Sequence, residues 1–409
     1  MALVPFTELS LRWLMMVMTM KTIDLVYFNY GGGHRSAALA LQEVSREQNR
    51  PWQVRLINLV EVLDPKSSFR RVTGISPETI YNKRLELGWT YGLATELKLL
   101  HGMIRFSHAT VVSRFLEHWR STRPDLVVSL VPNFNKALCE SVTMAPGEVP
   151  FVTVMTDMAD YPPNFWIEAG QSQYLVCGTK HAATQARRAG YAAENVHLTS
   201  GMILRPAFYR EPICSREAEC RKLSLDPQQP IGIVLFGGCG SPQMLCIAKT
   251  LADVQLILLC GHNSILQVRL EALETKVKHV VMGFTPDIEL YMRLGDFLIG
   301  KPGPGSLSEA VQLGLPVITF NNRLTVPQER YNAIWVREEG IGLVLRSPRA
   351  IRSAVTKMIQ NLPSYRAAVG RIDNRAVFEV TDIFEKLLNP TPPHRDADCL
   401  AGISTSLTA

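Results

Sequence analysis

The chain has no pair of cysteines at CxxC spacing, no GKS or GKT segment, and no apolar run long enough to cross a bilayer as a helix. Each absence removes a class of function. The eight cysteines (Cys139, Cys177, Cys214, Cys220, Cys239, Cys246, Cys260 and Cys399) are scattered, most of them in apolar runs. That pattern suits reduced core thiols in a cytosolic protein better than a disulfide framework or a zinc site. Without GKS or GKT there is no P-loop, and the first glycine turn is not a GxGxxG dinucleotide fingerprint. Leu11–Met20 is apolar and methionine-rich, but Arg12 interrupts it and it is too short to span a membrane. No small-residue cleavage site clearly follows it. It reads either as an interfacial helix or as a stretch ahead of a true start at Met15, Met16, Met18 or Met20. No paired aspartates at metal spacing, no internal repeat and no heptad array stand out.

Strong charge is also missing. The net charge is +6 over 409 residues, with 20% charged and 46% apolar residues. This is an ordinary globular balance. It permits attraction to an anionic membrane surface or a phosphorylated substrate, and it does not call for nucleic acid. The length favours two domains.

What the chain does have is a repeated alternation of short apolar runs, glycine turns and helical patterns, which predicts an α/β fold with parallel sheets. Residues 21–205 read as a first α/β domain, 206–388 as a second with C-terminal helices, 1–20 as an N-terminal extension and 389–409 as a disordered tail. In the first domain the apolar run Ile23–Phe28 is followed by Asn29, Tyr30, Gly31, Gly32, Gly33 and His34 and then a helix. The glycines bring backbone close to something, and His34 projects from the helix start. A helix N-terminus disfavours imidazolium, so His34 reads either as a neutral general base or as a capping or core histidine. The strand Phe151–Met155 ends in Thr156–Asp157, at the end of an open sheet where ligands bind. Residues 64–105 interleave Lys66, Arg70, Arg71, Lys83 and Arg84 with aromatic and aliphatic side chains. Such a segment suits the edge of an anionic bilayer, or a helical insertion packed on its own domain.

In the second domain, Gly237–Pro242 opens one helix, and Lys301, Pro302, Gly303, Pro304, Gly305 and Ser306 open another. Bare backbone N–H groups at a helix start favour a phosphate. Glu309, within the first turn or so of that helix, has the reach of a ribose hydroxyl; the plain alternative is a βα turn with an incidental glutamate.

The order of these motifs resembles the monogalactosyldiacylglycerol synthase and diacylglycerol glucosyltransferase group of GT-B glycosyltransferases, related to the peptidoglycan N-acetylglucosaminyltransferase. The resemblance covers roughly residues 22–385. It rests on Gly31–Ala38, Thr156–Asp157, Lys301–Ser306 with Glu309–Ala310, and Gln328–Glu329 with Asn332. It implies two Rossmann-like domains across a cleft, with UDP-glucose or UDP-galactose in the second and diacylglycerol or a similar lipid in the first. It further implies that His34 is the base, with Gly32, Gly33 and Asp157 on the acceptor side. Gly240, Ser241 and the turn Gly303, Pro304, Gly305, Ser306 would hold the diphosphate. Phe284 would frame the uracil through its backbone, Glu309 would bond the ribose, and Gln328 and Glu329 the sugar. No metal or other cofactor is expected, and the location implied is cytoplasmic, on the inner face of the cell membrane. Two departures stand out: Tyr161 occupies the place of a loop histidine of the plant-type enzymes, and Gly237–Ser241 is poorer in glycine than the usual form. Other readings are a soluble or polyprenyl acceptor, a non-catalytic nucleotide-sugar-binding protein, or a UDP-sugar epimerase.

Overall fold

The computed structural model describes residues 20–29, 33–65, 102, 106–212, 214–323 and 325–389. The N-terminal stretch to residue 19, Gly31 and Gly32, most of the basic-aromatic segment (66–101 and 103–105) and the tail from 390 lie outside the described residues.

The first sheet contains β1 (Lys21–Tyr27), β2 (Trp52–Asn58), β3 (Leu126–Ser129), β4 (Phe151–Val154), β5 (Tyr174–Cys177) and β6 (Val196–Leu198). The second contains β7 (Ile231–Leu235), β8 (Gln255–Leu259), β9 (His279–Met282), β10 (Phe297–Gly300), β11 (Val317–Phe320) and β12 (Gly342–Leu345). Each is six-stranded, in the orders β2-β1-β3-β4-β5-β6 and β12-β11-β10-β7-β8-β9. Every pairing in both is parallel. The expected pair of Rossmann-like sheets is therefore present. The sequence reason is visible in β3, β4, β7, β8, β10 and β11, which are buried along their whole length. Continuous Val, Leu and Ile runs fit strands covered on both faces, and helices returning across a parallel sheet supply that cover. The edge strand β2 instead carries Gln53 and Arg55.

In each sheet the winding direction reverses once, between β1 and β3 and again between β7 and β10. The registers Leu25↔Val128 and Ile233↔Leu298 hold these pairs side by side. A crevice forms beyond the carboxyl ends of strands at such a reversal.

The last helix, Ala376–Leu388, departs from expectation. The sequence pattern places it with the second domain, but its stripe Val377, Val380, Ile383 and Phe384 joins Ile23, Leu25, Leu41 and Val128 in the core of the first. The face of β1 and β3 beside the helix Gly33–Glu47 is apolar, and this stripe covers it. Thr381 donates a hydrogen bond to Gln48 at 3.0 Å, and Arg50 pairs with Asp382 and Glu385. The chain thus passes between the two units twice.

Phe384 is fully buried there. Phe384→Ala is expected to cost about 3–5 kcal/mol. Hydrogen exchange should accelerate in β1 and β3 while β7 and β10 keep their protection; equal loss in both sheets would assign the helix to neither unit alone.

Candidate active site

At the first reversal, β1 leads to Gly33, which opens the helix Gly33–Glu47, and β4 leads to Thr156 and Asp157. Folding brings these strand ends together: Thr156 Oγ1 and His34 Nδ1 are 2.9 Å apart. The imidazole stands edge-on to Phe28 and tilted against Trp166, with centroids 6.1 and 6.0 Å away. Burial pulls its pKa down to about 4, against the opposing effect of a hydrogen bond to the Leu130 backbone. The ring is therefore neutral at pH 7, and a neutral imidazole keeps one nitrogen able to accept a proton. Gly33 has open space where a side chain would stand.

Asp157 is buried, and its Oδ2 accepts a hydrogen bond of 2.9 Å from Trp166 Nε1. Trp166 is itself fixed by Asp160, whose Oδ1 accepts from the Trp166 N–H at 2.6 Å. Desolvation pushes the Asp157 pKa up to about 7; Trp166 opposes this, Glu329 adds to it and Lys301 reduces it. Glu329 and Lys301 belong to the second unit, so the two sets of strand ends face each other closely enough to change a proton affinity.

On the second side, two turns leave the adjacent strands β7 and β10. Gly237 has φ +78°, a backbone that favours glycine, and a Cβ there would stand 3.2 Å from Lys301 Cε. Gly240 donates its N–H to the Gly237 carbonyl at 3.1 Å, so this group closes the turn rather than facing the cleft. Ser241 Oγ accepts from the Gln243 N–H at 3.3 Å. In the other turn, Gly303 donates to the Lys301 carbonyl at 2.8 Å, and Pro304 has no N–H. The donors left at the start of the helix Pro304–Gln312 are those of Gly305 and Ser306, which have no carbonyl one turn back. The cradle is thus narrower than the motif implies. Glu309 lies in the second turn of that helix, not the first. It is half-buried, and desolvation pushes its pKa up to about 7, with Arg205 lowering and Glu289 raising it. Arg205 is anchored to the Pro286 carbonyl at 2.7 Å and to Glu289 at 2.9 Å.

The segment Pro327–Glu329 is a short 3-10 turn leading into the helix Arg330–Glu338. Glu329 pairs with Lys301 at 2.6 Å. Asn332 holds the 301–306 turn by donating to the Pro302 carbonyl at 2.8 Å. Gln328 Oε1 is buried with no partner among the described residues, an acceptor suited to a hydroxyl. Phe284, after β9, is 62% exposed and stacks on His262 with centroids 4.1 Å apart. Tyr161, in the place of the plant-type histidine, is 40% exposed.

The structure therefore groups His34, Thr156 and Asp157 with Lys301 and Glu329, and it sets Phe284 just after the outer strand β9. Lys301, Trp166 and Arg205 were given no role from the sequence. Only Lys301 had a visible signal, its place at the head of a glycine turn. Among the described residues, no cluster of three or more His, Cys, Asp or Glu could hold a metal ion.

Asp157→Asn keeps an acceptor for Trp166 and removes the ionisable group. A raised folded pKa contributes stability below the unfolded value near 4, and this is lost as pH rises through about 7. The variant should exceed wild type by up to about 4 kcal/mol at pH 8 and match it near pH 4. Denaturant unfolding at the two pH values measures this; a pH-independent difference would remove the buried carboxyl as its source.

Residues 235–385 match the glycosyltransferase family 28 C-terminal domain. The chain is 27% identical over 354 residues to monogalactosyldiacylglycerol synthase 1, chloroplastic, of Arabidopsis thaliana, covering 82% of this chain and 64% of that protein. It thus spans about two thirds of that relative. It is 25% identical over 420 residues to probable monogalactosyldiacylglycerol synthase 3 of Oryza sativa subsp. japonica, covering 95% of this chain and 78% of the relative. Among solved structures, MurG of Acinetobacter baumannii superposes with a TM-score of 0.56 at 12% identity, over 90% of this chain and 99% of that one. MnaA of S. aureus, solved with UDP, gives 0.57 at 14% identity, over 90% and 97%. With two reversing parallel sheets facing across a cleft, the chain has the GT-B architecture, and it is similar to the monogalactosyldiacylglycerol synthases and, over residues 235–385, to the glycosyltransferase family 28 C-terminal domain.

Proposed function

We propose that the chain is an inverting glycosyltransferase that moves a hexose from a UDP-sugar to a membrane lipid acceptor of the diacylglycerol class, in glycolipid synthesis. The observation that carries this reading is the placement of neutral His34 in one unit opposite the Lys301–Glu309 turn in the other, in a relative of galactolipid synthases. A base and an anion cradle on opposite walls are what a single displacement needs.

The donor lies on the second unit. The N–H groups of Gly305 and Ser306 and the positive end of their helix take phosphate oxygens. Glu309 takes the ribose hydroxyls, and the Phe284 backbone frames the uracil. The unpartnered Gln328 Oε1 takes a sugar hydroxyl. The acceptor hydroxyl lies beside His34, near Gly33 and Asp157. As the acceptor oxygen attacks the anomeric carbon, its proton passes to the imidazole and the diphosphate leaves from the opposite face, so the configuration inverts. A pKa near 4 makes His34 a weak base in the empty protein. An anionic donor nearby raises it, because a negative neighbour favours imidazolium. Fixed dipoles and a cation stabilise the leaving group, and transfer is expected to persist in EDTA. The acceptor would be met at the inner face of the cell membrane, as the likeness to galactolipid synthases suggests. The choice between glucose and galactose rests on one hydroxyl.

Purified protein with labelled UDP-glucose or UDP-galactose and diacylglycerol vesicles should move label into the lipid extract; label left wholly in the aqueous phase would sink the glycolipid reading. His34→Ala should lower turnover by about 10²–10⁴-fold with UDP affinity kept, as loss of a general base does. Glu309→Gln should weaken UDP by about tenfold, the scale of one lost charge-assisted hydrogen bond. Unchanged UDP affinity would take Glu309 out of the ribose site.

A further inference from the structure

Lys301 is the first residue after β10, at the reversal point where β10 and β7 part. Its side chain runs between the two glycine turns. A Cβ on Gly237 would lie 3.2 Å from its Cε and 3.9 Å from its Nζ; on Gly303 the same distances would be 3.5 and 3.9 Å. The side chain therefore lies in contact with both turns, and a side chain at Gly237 would crowd it. The ammonium ends beside both turns, with Glu329 Oε1 at 2.6 Å. The pair is asymmetric: the lysine side chain is 38% exposed and the glutamate only 10%. The positive member is thus the more accessible of the two, and the negative member is the more buried. Desolvation raises the pKa of Asp157 on the opposite wall to about 7, so it opposes that charge less than an ordinary carboxylate would. Arg205, which acts on Glu309, is tied to the Pro286 carbonyl and Glu289.

We infer that Lys301 is the catalytic cation that receives the negative charge of the leaving diphosphate, oriented in the empty protein by Glu329. This rests on the transferase reading above. In the transfer step the bond between the anomeric carbon and the β-phosphate oxygen breaks, and its electron pair stays on that oxygen. The acceptor oxygen bonds to the carbon, and its proton goes to His34. Lys301 keeps all its protons and donates a charge-assisted hydrogen bond to a phosphate oxygen, beside the N–H groups of Gly305 and Ser306. Glu329 keeps the long side chain extended between the turns, which lowers the entropy lost when the phosphate arrives.

The test compares UDP with uridine as ligands of the full-length protein, by calorimetry and ligand-observed NMR, and follows turnover with a labelled UDP-sugar. Lys301→Met should weaken UDP by about tenfold or more and leave uridine within about twofold. It should lower kcat/KM by about 10²–10³-fold, the usual cost of removing one group that stabilises a leaving oxyanion. Lys301→Arg should restore part of the UDP affinity. Because Lys301→Met leaves Glu329 buried without its cation, the double variant Lys301→Met/Glu329→Gln is measured as well and should show the same selective loss of UDP. If the variants keep the wild-type ratio of UDP to uridine affinity, whether both ligands are retained or both are lost, Lys301 is a strut for Glu329 and the inference falls. A wild-type protein that fails to bind UDP defeats the transferase reading itself, a failure visible before any variant is made.

Discussion

Burial of the parallel strands on both faces is the constraint from which the rest of this molecule follows. A strand such as Leu126–Ser129 or Phe297–Gly300 is covered along its whole length, and it is apolar except at its carboxyl end, where Ser129 donates to Asn135. Polar chemistry is therefore pressed to the strand ends, and in a parallel sheet all the carboxyl ends lie on one edge. Two such edges, turned toward each other, collect His34, Thr156 and Asp157 on one wall and Lys301, Glu309 and Glu329 on the other. The site comes from where burial stops.

The same burial sets the protonation state of the cleft. His34 is held far below its usual range, while Asp157 and Glu309 are lifted to about 7. In all three, desolvation is the largest cause, and it favours the uncharged form of base and acid alike. The cleft thus carries less net negative charge than its carboxylates suggest. That is a favourable state for admitting an anion, because an ionised Asp157 and Glu329 side by side would repel it.

Much of this was legible in the chain. Apolar runs separated by glycine turns identify the buried strands, since few other patterns repeat at that spacing. The turns at Gly33 and Lys301 point to the two walls because glycine at a strand end has few purposes besides close approach. Other features could not be read. The N–H groups of Gly240 and Gly303 close their own turns, and only the traced hydrogen bonds reveal it. The pairing of Lys301 with Glu329 joins residues far apart in the chain, and no local pattern signals it. The helix Ala376–Leu388 shows an apolar stripe in the sequence, but a stripe says only that something is covered. Which sheet it covers is decided by which face the other helices leave bare.

That last helix also bears on how the protein is made. The face of β1 and β3 is completed by Val377, Val380 and Phe384. On the ribosome, the first unit emerges whole in strands yet lacks this cover until nearly all of the second has been translated. Its apolar face must wait exposed through that interval, the kind of species on which chaperones act. The first unit therefore completes its core only after most of the second has been made.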